Sequence, residues 1–122
     1  MLFAVTLMSC LLVANASHPA CYQPAAERDK ILSEAQRDEF TVRRVEFVGL
    51  TYTRDQTLRD QMTPIINEGD VLTRAKLVRS LRRMSALRDV IYPLHLSDVA
   101  LRVDRQYGLV DITICFRQRP SK

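Results

Sequence analysis

Hydrophobic and polar positions alternate in three stretches of the chain, and between the first and second of them apolar residues recur at helical spacing. From Thr41 to Val48, Val45 and Phe47 fall on one side of an extended backbone and Arg44 and Glu46 on the other, the pattern of a half-buried strand. Gly49 follows where a turn is wanted. Thr53 is placed to cap a helix from Arg54 to Met62, with Gln56 completing a capping box, Leu58 and Met62 on the inner side and Pro64 as the stop. Asn67-Glu68-Gly69-Asp70 has turn composition. Thr73 then caps a second helix from Arg74 to the neighbourhood of Leu87, whose stripe of Leu77, Val78, Leu81 and Met84 is its buried side. Val99, Leu101 and Val103 alternate with Ala100, Arg102 and Asp104. Val110, Ile112, Ile114 and Phe116 alternate with Asp111, Thr113, Cys115 and Arg117. Arg105 to Gly108 joins these two strands at hairpin length, with Gly108 free to take a positive φ. The order is β-α-α-β-β, an α+β domain in which the helices cover one face of a single sheet and leave the other wet.

The beginning of the chain reads differently. Leu2 to Val13 is almost wholly apolar and no charge precedes Glu27, although a bacterial signal usually opens with Lys or Arg. The run is too short for a spanning helix but suits the apolar region of a secretory signal, and Ala14-Asn15-Ala16 supplies a small-x-small cleavage site. Residues 1–16 are therefore expected to be a signal peptide. A buried N-terminal helix is the alternative. Residues 17–40 follow as an arm broken by Pro19 and Pro24. Within it Ala25 to Asp38, with Ile31, Leu32 and Ala35, forms either a short amphipathic helix or a spacer.

Composition narrows the picture only a little. A chain of 122 residues, 47% hydrophobic and 26% charged, accommodates one small domain and a tail. The formal charge of +4 is mild. Its one concentration is on the second helix, where Lys76, Arg79 and Arg83 share a face with Arg82 beside them. That face is either simply solvated or a contact for an anionic membrane surface or acidic partner. After cleavage two cysteines remain, Cys21 and Cys115. In an oxidising compartment they could form one disulfide pinning the arm to the end of the domain, or stay as two thiols, since nothing in the sequence fixes their distance. Lipidation of Cys21 is a further option. Catalytic chemistry has little support: His18 and His95 stand apart from any ligand-spaced cluster, and there is neither a Gly-rich phosphate loop nor a Ser nucleophile motif. No cofactor or metal is expected. A basic α/β nucleic-acid-binding domain is the alternative class, but the expected export and the lack of interleaved aromatics argue against nucleic acid.

The ordered set of elements resembles the POTRA (polypeptide-transport-associated) family. Val42 to Gly49 is similar to its opening strand and glycine, Thr51 to Met62 to its first helix, and Glu68-Gly69-Asp70 with Arg74 to Leu87 to its loop and second helix. Val110 to Phe116, closed by Arg117 to Pro120, resembles its last strand and exit. The resemblance covers residues 41–120. It departs from the pattern at Leu50, where Asn is frequent, and in the long connection from Asp89 to Asp98. It implies a three-stranded mixed sheet with the last strand central and two helices on one face. Taken with the signal-like start and the small size of the chain, it also implies a non-catalytic, exported, single-domain module, periplasmic or outer-membrane-associated, that serves outer-membrane protein assembly or secretion. The partner would be an extended polypeptide or an assembly component, received on the edge strand Val99, Ala100, Leu101, Arg102, Val103 and Asp104 by β-augmentation. The backbone register of that strand decides whether proline at Arg102 or at Leu101 blocks the partner side.

The export reading predicts a mature N-terminus at Ser17. Intact-mass measurement on protein from the native host checks it, and recovery of chain beginning at Met1 overturns it.

Overall fold

The computed structural model describes residues 21–51, 53–90 and 92–117, so the signal-peptide region, His18 and the exit after Arg117 lie outside the described residues. The ordered elements are α1 (Ala25–Arg37), β1 (Thr41–Val48), α2 (Asp55–Met62), α3 (Arg74–Ser85), a 3-10 turn (Leu96–Asp98), β2 (Val99–Asp104) and β3 (Leu109–Cys115). The sheet order is β1-β3-β2, with β3 parallel to β1 and antiparallel to β2. This is the mixed three-stranded sheet with its last strand central. The β-α-α-β-β set is preceded by a third helix, because Ala25 to Asp38 folds as a helix and not as a spacer.

The strand periodicity translates directly into burial. Val45, Phe47, Val99, Leu101, Val110, Ile112 and Ile114 turn inward onto Leu58, Met62, Leu77, Leu81 and Met84 of the helices. Buried Val42 escapes the simple alternation because a β-bulge between Val42 and Arg44 resets the phase. Gly49 has φ +85, and a Cβ there would lie 2.2 Å from the carbonyl oxygen of Phe116, whose N–H donates to Val48. The residue thus permits both the turn and the close passage of the two strand exits.

Helix ends show where local rules held and where they gave way. Thr73 accepts from the N–H of Lys76 at 3.2 Å, the cap its position predicts. The N-cap position of α2 is Arg54, one residue after Thr53; Arg54 makes no side-chain capping bond, and Gln56 turns forward to Asp60. Thr63 keeps helical angles despite preceding Pro64, so the helix ends for want of the proline's N–H and not by an extended residue before it. At the end of α1 the N–H of Phe40 reaches back to Ala35 while Glu39 holds φ 54, a left-handed C-terminal cap built without glycine.

The long connection after α3 is tied down by Val90 and Leu94, both buried, and by Ser85, whose hydroxyl accepts from the N–H of Leu94 at 2.8 Å. His95 belongs to this tether. Its N–H donates to the Asp98 carboxylate at the start of the 3-10 turn.

Cys21 and Cys115 form a disulfide with Cα atoms 5.8 Å apart, across a sequence separation of 94. A loop of that length restricts the unfolded chain by about 4–5 kcal/mol on the chain-entropy account. The bonded Cys21 sulfur is not free to carry a lipid thioether. Cys115 belongs to the wet face of β3, so the arm starts there and crosses the edge of β2 to reach α1. That helix buries Ile31, Leu32 and Ala35 in the common core.

Ile112 is 1% exposed on the inner face of the central strand, whereas Thr113 belongs to the outer face. Ile112→Asp is expected to cost on the order of 4 kcal/mol or to prevent folding. Thr113→Asp should stay within about 1 kcal/mol of wild type. Urea unfolding of the two variants checks this, and equal midpoints would overturn the strand phase.

Candidate functional site

A three-stranded sheet has two edges, and the fold treats them differently. On β1 the outer edge is closed by its own connections. The N–H of Val42 donates to Asp70, the N–H of Gly69 donates to Val42, and the N–H of Leu72 donates to Phe40. Further along, Arg59 donates to the carbonyl of Val45 at 2.8 Å and lays its guanidinium 5.0 Å over the Phe47 ring. Arg59 is itself held by an ion pair with Asp55 one turn earlier on α2.

On β2 the outer edge meets the arm. The carboxamide of Gln23 donates to the carbonyl of Leu101 at 2.8 Å and accepts from its N–H at 2.7 Å. Leu101 therefore turns its backbone groups away from β3. In an antiparallel ladder the alternate residues share that direction, so Val99, Leu101 and Val103 face outward while Ala100, Arg102 and Asp104 pair with Thr113, Asp111 and Leu109. The register makes Leu101, not Arg102, the position whose N–H lies on the partner side. The edge is partly occupied: Leu101 is satisfied by Gln23, and the carbonyl of Val99 accepts from Arg28 at 3.4 Å.

Arg28 is unusual in its own right. It is 5% exposed and donates to the carbonyls of Gln23 and Val99, yet no carboxylate among the described residues pairs with it and its Nε has no partner. Beside Leu101 a cleft of 560 Å³ extends from Tyr22 and Gln23 of the arm across β2 onto the wet face, where Asp111 and Thr113 of β3 and Arg44 of β1 line it. Tyr22 stands at its lip, 80% exposed.

The wet face beside this cleft is stitched by charge. The bulge lets Arg43 reach over the central strand, where it makes a two-pronged contact with Asp111 at 3.0 and 2.7 Å and approaches Asp104 on β2 at 3.8 Å. Glu34 of α1 holds Arg105 of the hairpin in the same way at 2.6 and 3.0 Å. Hydrogen bonds from these arginines hold the carboxyls of Asp111 and Glu34 below their ordinary values.

The basic helix face is only partly available. Lys76 leans on the carbonyl of Val71, and Arg83 is turned onto the carbonyl and side chain of Gln61. Arg79 and Arg82 are exposed, and no carboxylate among the described residues pairs with any of the four. The edge strand and the basic face are thus distinct surfaces. Sequence reading missed Gln23, Arg28 and Arg43. Gln23 and Arg28 act through an arm whose course the disulfide decides, and Arg43 acts through a bulge that alternation does not announce. No group of His, Cys, Asp or Glu suited to a metal occurs among the described residues, nor any helix long and apolar enough to cross a membrane.

These features define an α+β module whose sheet has one closed edge, on β1, and one edge guarded by a side chain, on β2. Residues 40–88, comprising β1, α2 and α3, match the POTRA family, described as a surface antigen variable number repeat. The likeness to that family is carried by this segment, and β2 and β3 complete the sheet beyond it. Comparison with curated proteins and with solved structures gives no significant match.

Because the folded pKa of Asp111 is depressed, its contribution to stability is present above the unfolded value of about 3.9 and is lost as pH falls through the folded value. Arg43→Met is expected to move the Asp111 titration upward and to flatten that part of the acid stability curve. Carboxyl NMR titration of both proteins checks the shift, and an unmoved Asp111 would overturn the assignment.

Proposed function

We propose that this protein is an exported, non-catalytic polypeptide-binding module of POTRA type that serves outer-membrane protein assembly or secretion. The outer edge of β2 is its docking line. The observation that carries this reading is the Gln23 contact, since a carboxamide has the donor and acceptor of a peptide group and already engages both backbone groups of Leu101. A partner strand would offer the same chemistry at Leu101 and Val103, with side chains contributing little to the choice of sequence. The POTRA match supports a binding role over the nucleic-acid alternative. The disulfide fits an oxidising compartment, which supports a periplasmic or outer-membrane-associated location. Arg79 and Arg82, exposed on a helix without an acidic residue, favour a secondary contact with an anionic membrane surface or acidic partner, in which Lys76 and Arg83 join only by leaving their internal acceptors.

Val103→Pro is the variant that tests the docking line. It removes an outward N–H, and proline is tolerated on an edge strand when its N–H would have faced outward. The protein should stay folded and lose affinity about tenfold for a short Val/Thr-alternating peptide with lysine ends. NMR shift mapping reads the contact. Shifts confined to Lys76, Arg79, Arg82 and Arg83, with β2 silent, would overturn the edge and leave an electrostatic surface in its place.

A further inference from the structure

We propose that the arm from Cys21 to Pro24 is a built-in latch on the edge of β2: Gln23 occupies the slot that a partner strand needs, and the Cys21–Cys115 disulfide holds it there. The inference rests on the polypeptide-binding reading for the identity of the competitor, but the closure itself stands on geometry.

Three observations meet at this point. First, Gln23 satisfies both backbone groups of Leu101, so no added strand can pair there while it is in place. Second, the disulfide fixes Cys21 to the central strand on the wet face, two residues before Gln23. The contact is therefore intramolecular, with an effective concentration that a free peptide must overcome. Third, the inner end of the latch is poorly compensated. Arg28 donates to the carbonyl of Gln23 from a buried position, without a carboxylate partner and with Nε unsatisfied. That hydrogen bond is a single one at 3.2 Å, so the outer end of the arm depends on the crosslink. Helix α1 has its own anchors in Ile31, Leu32 and Ala35 and can remain in place when the arm lifts.

Two routes release the latch. A partner strand long enough to pair at both Leu101 and Val103 displaces Gln23 by competition. Alternatively, a dithiol reductant attacks the disulfide: the dithiol is oxidised to its own disulfide, and two electrons and two protons pass to the sulfurs of Cys21 and Cys115, leaving two thiols. The arm is then held only by the Gln23 and Arg28 hydrogen bonds.

The test uses the full exported chain in three forms: oxidised wild type, Gln23→Ala with the disulfide intact, and Cys21→Ser. Two quantities are measured, amide hydrogen exchange at Leu101 and affinity for the lysine-ended Val/Thr peptide. In the oxidised wild type the Leu101 amide should exchange slowly. In both variants it should exchange at least about tenfold faster, with the peptide bound about tenfold more tightly. Gln23→Ala keeps the crosslink and so remains informative if Cys21→Ser fails to fold. Equal Leu101 exchange in wild type and Gln23→Ala overturns the latch, as does unchanged affinity for a peptide that still shifts β2. If no form binds the peptide although the exchange difference is present, the polypeptide-binding reading fails and the closure of Leu101 stands.

Discussion

The parallel pairing of β1 with β3 is the constraint from which the rest of the architecture follows. Two parallel strands cannot be joined by a tight turn, so the chain must travel back across the sheet before β3 begins. The segment that makes the journey supplies α2 and α3, whose Leu58, Met62, Leu77 and Met84 cover the inner face. With β3 placed between its neighbours, its Val110, Ile112 and Ile114 are all buried to within 1% of full burial. The edges fall to β1 and β2. The edge of β1 is then met by the returning loop at Gly69 to Leu72, whereas β2 follows the crossover and has nothing of the βααββ unit left to cover it. Its protection must come from upstream, and in this chain that is the arm.

What the sequence disclosed and what it withheld divide along this line. Period-two alternation located all three strands, with β1 and β2 at their observed bounds, because each strand has one wet face and one dry one. Helical spacing located α3 and its Thr73 cap for the same reason. The start of α2 falls one residue later than predicted, with Arg54 at the N-cap position, because helix boundaries are less sharply encoded than the apolar stripe. The helix at Ala25 was undecided because its stripe of Ile31, Leu32 and Ala35 is weak in isolation and becomes meaningful only against β2 and α3. Gln23 was illegible altogether. A glutamine in an eight-residue stretch with two prolines has no periodicity, and its partner is 78 residues away.

The disulfide connects the two halves of the account. Cys115 belongs to the outer, wet set of β3, the side opposite the helices, and the arm must therefore pass the edge of β2 to deliver α1 to the helical layer. An edge strand with bare amides invites pairing with any extended chain, which natural sheets avoid by covers, charges or prolines. Here the cover at Leu101 is a single side chain, flanked by Arg28 at Val99 and by the Glu34–Arg105 pair at the hairpin. None of these is a strand, so the hydrogen-bonding line remains intact beneath them.

That difference between a side chain and a strand gives the cover its direction of exchange. One carboxamide supplies one donor and one acceptor, enough for Leu101 and no more. An extended polypeptide repeats the same pair of groups at every second residue, so it can meet Leu101 and Val103 together. Each extra hydrogen bond adds a net of about 0.5–1.5 kcal/mol, which favours a longer strand over a single carboxamide. The cover is thus sufficient against brief or isolated encounters with unfolded chain and insufficient against a partner that presents a continuous strand. On the proposed reading, a cover with that threshold discriminates by length of extended backbone and not by sequence.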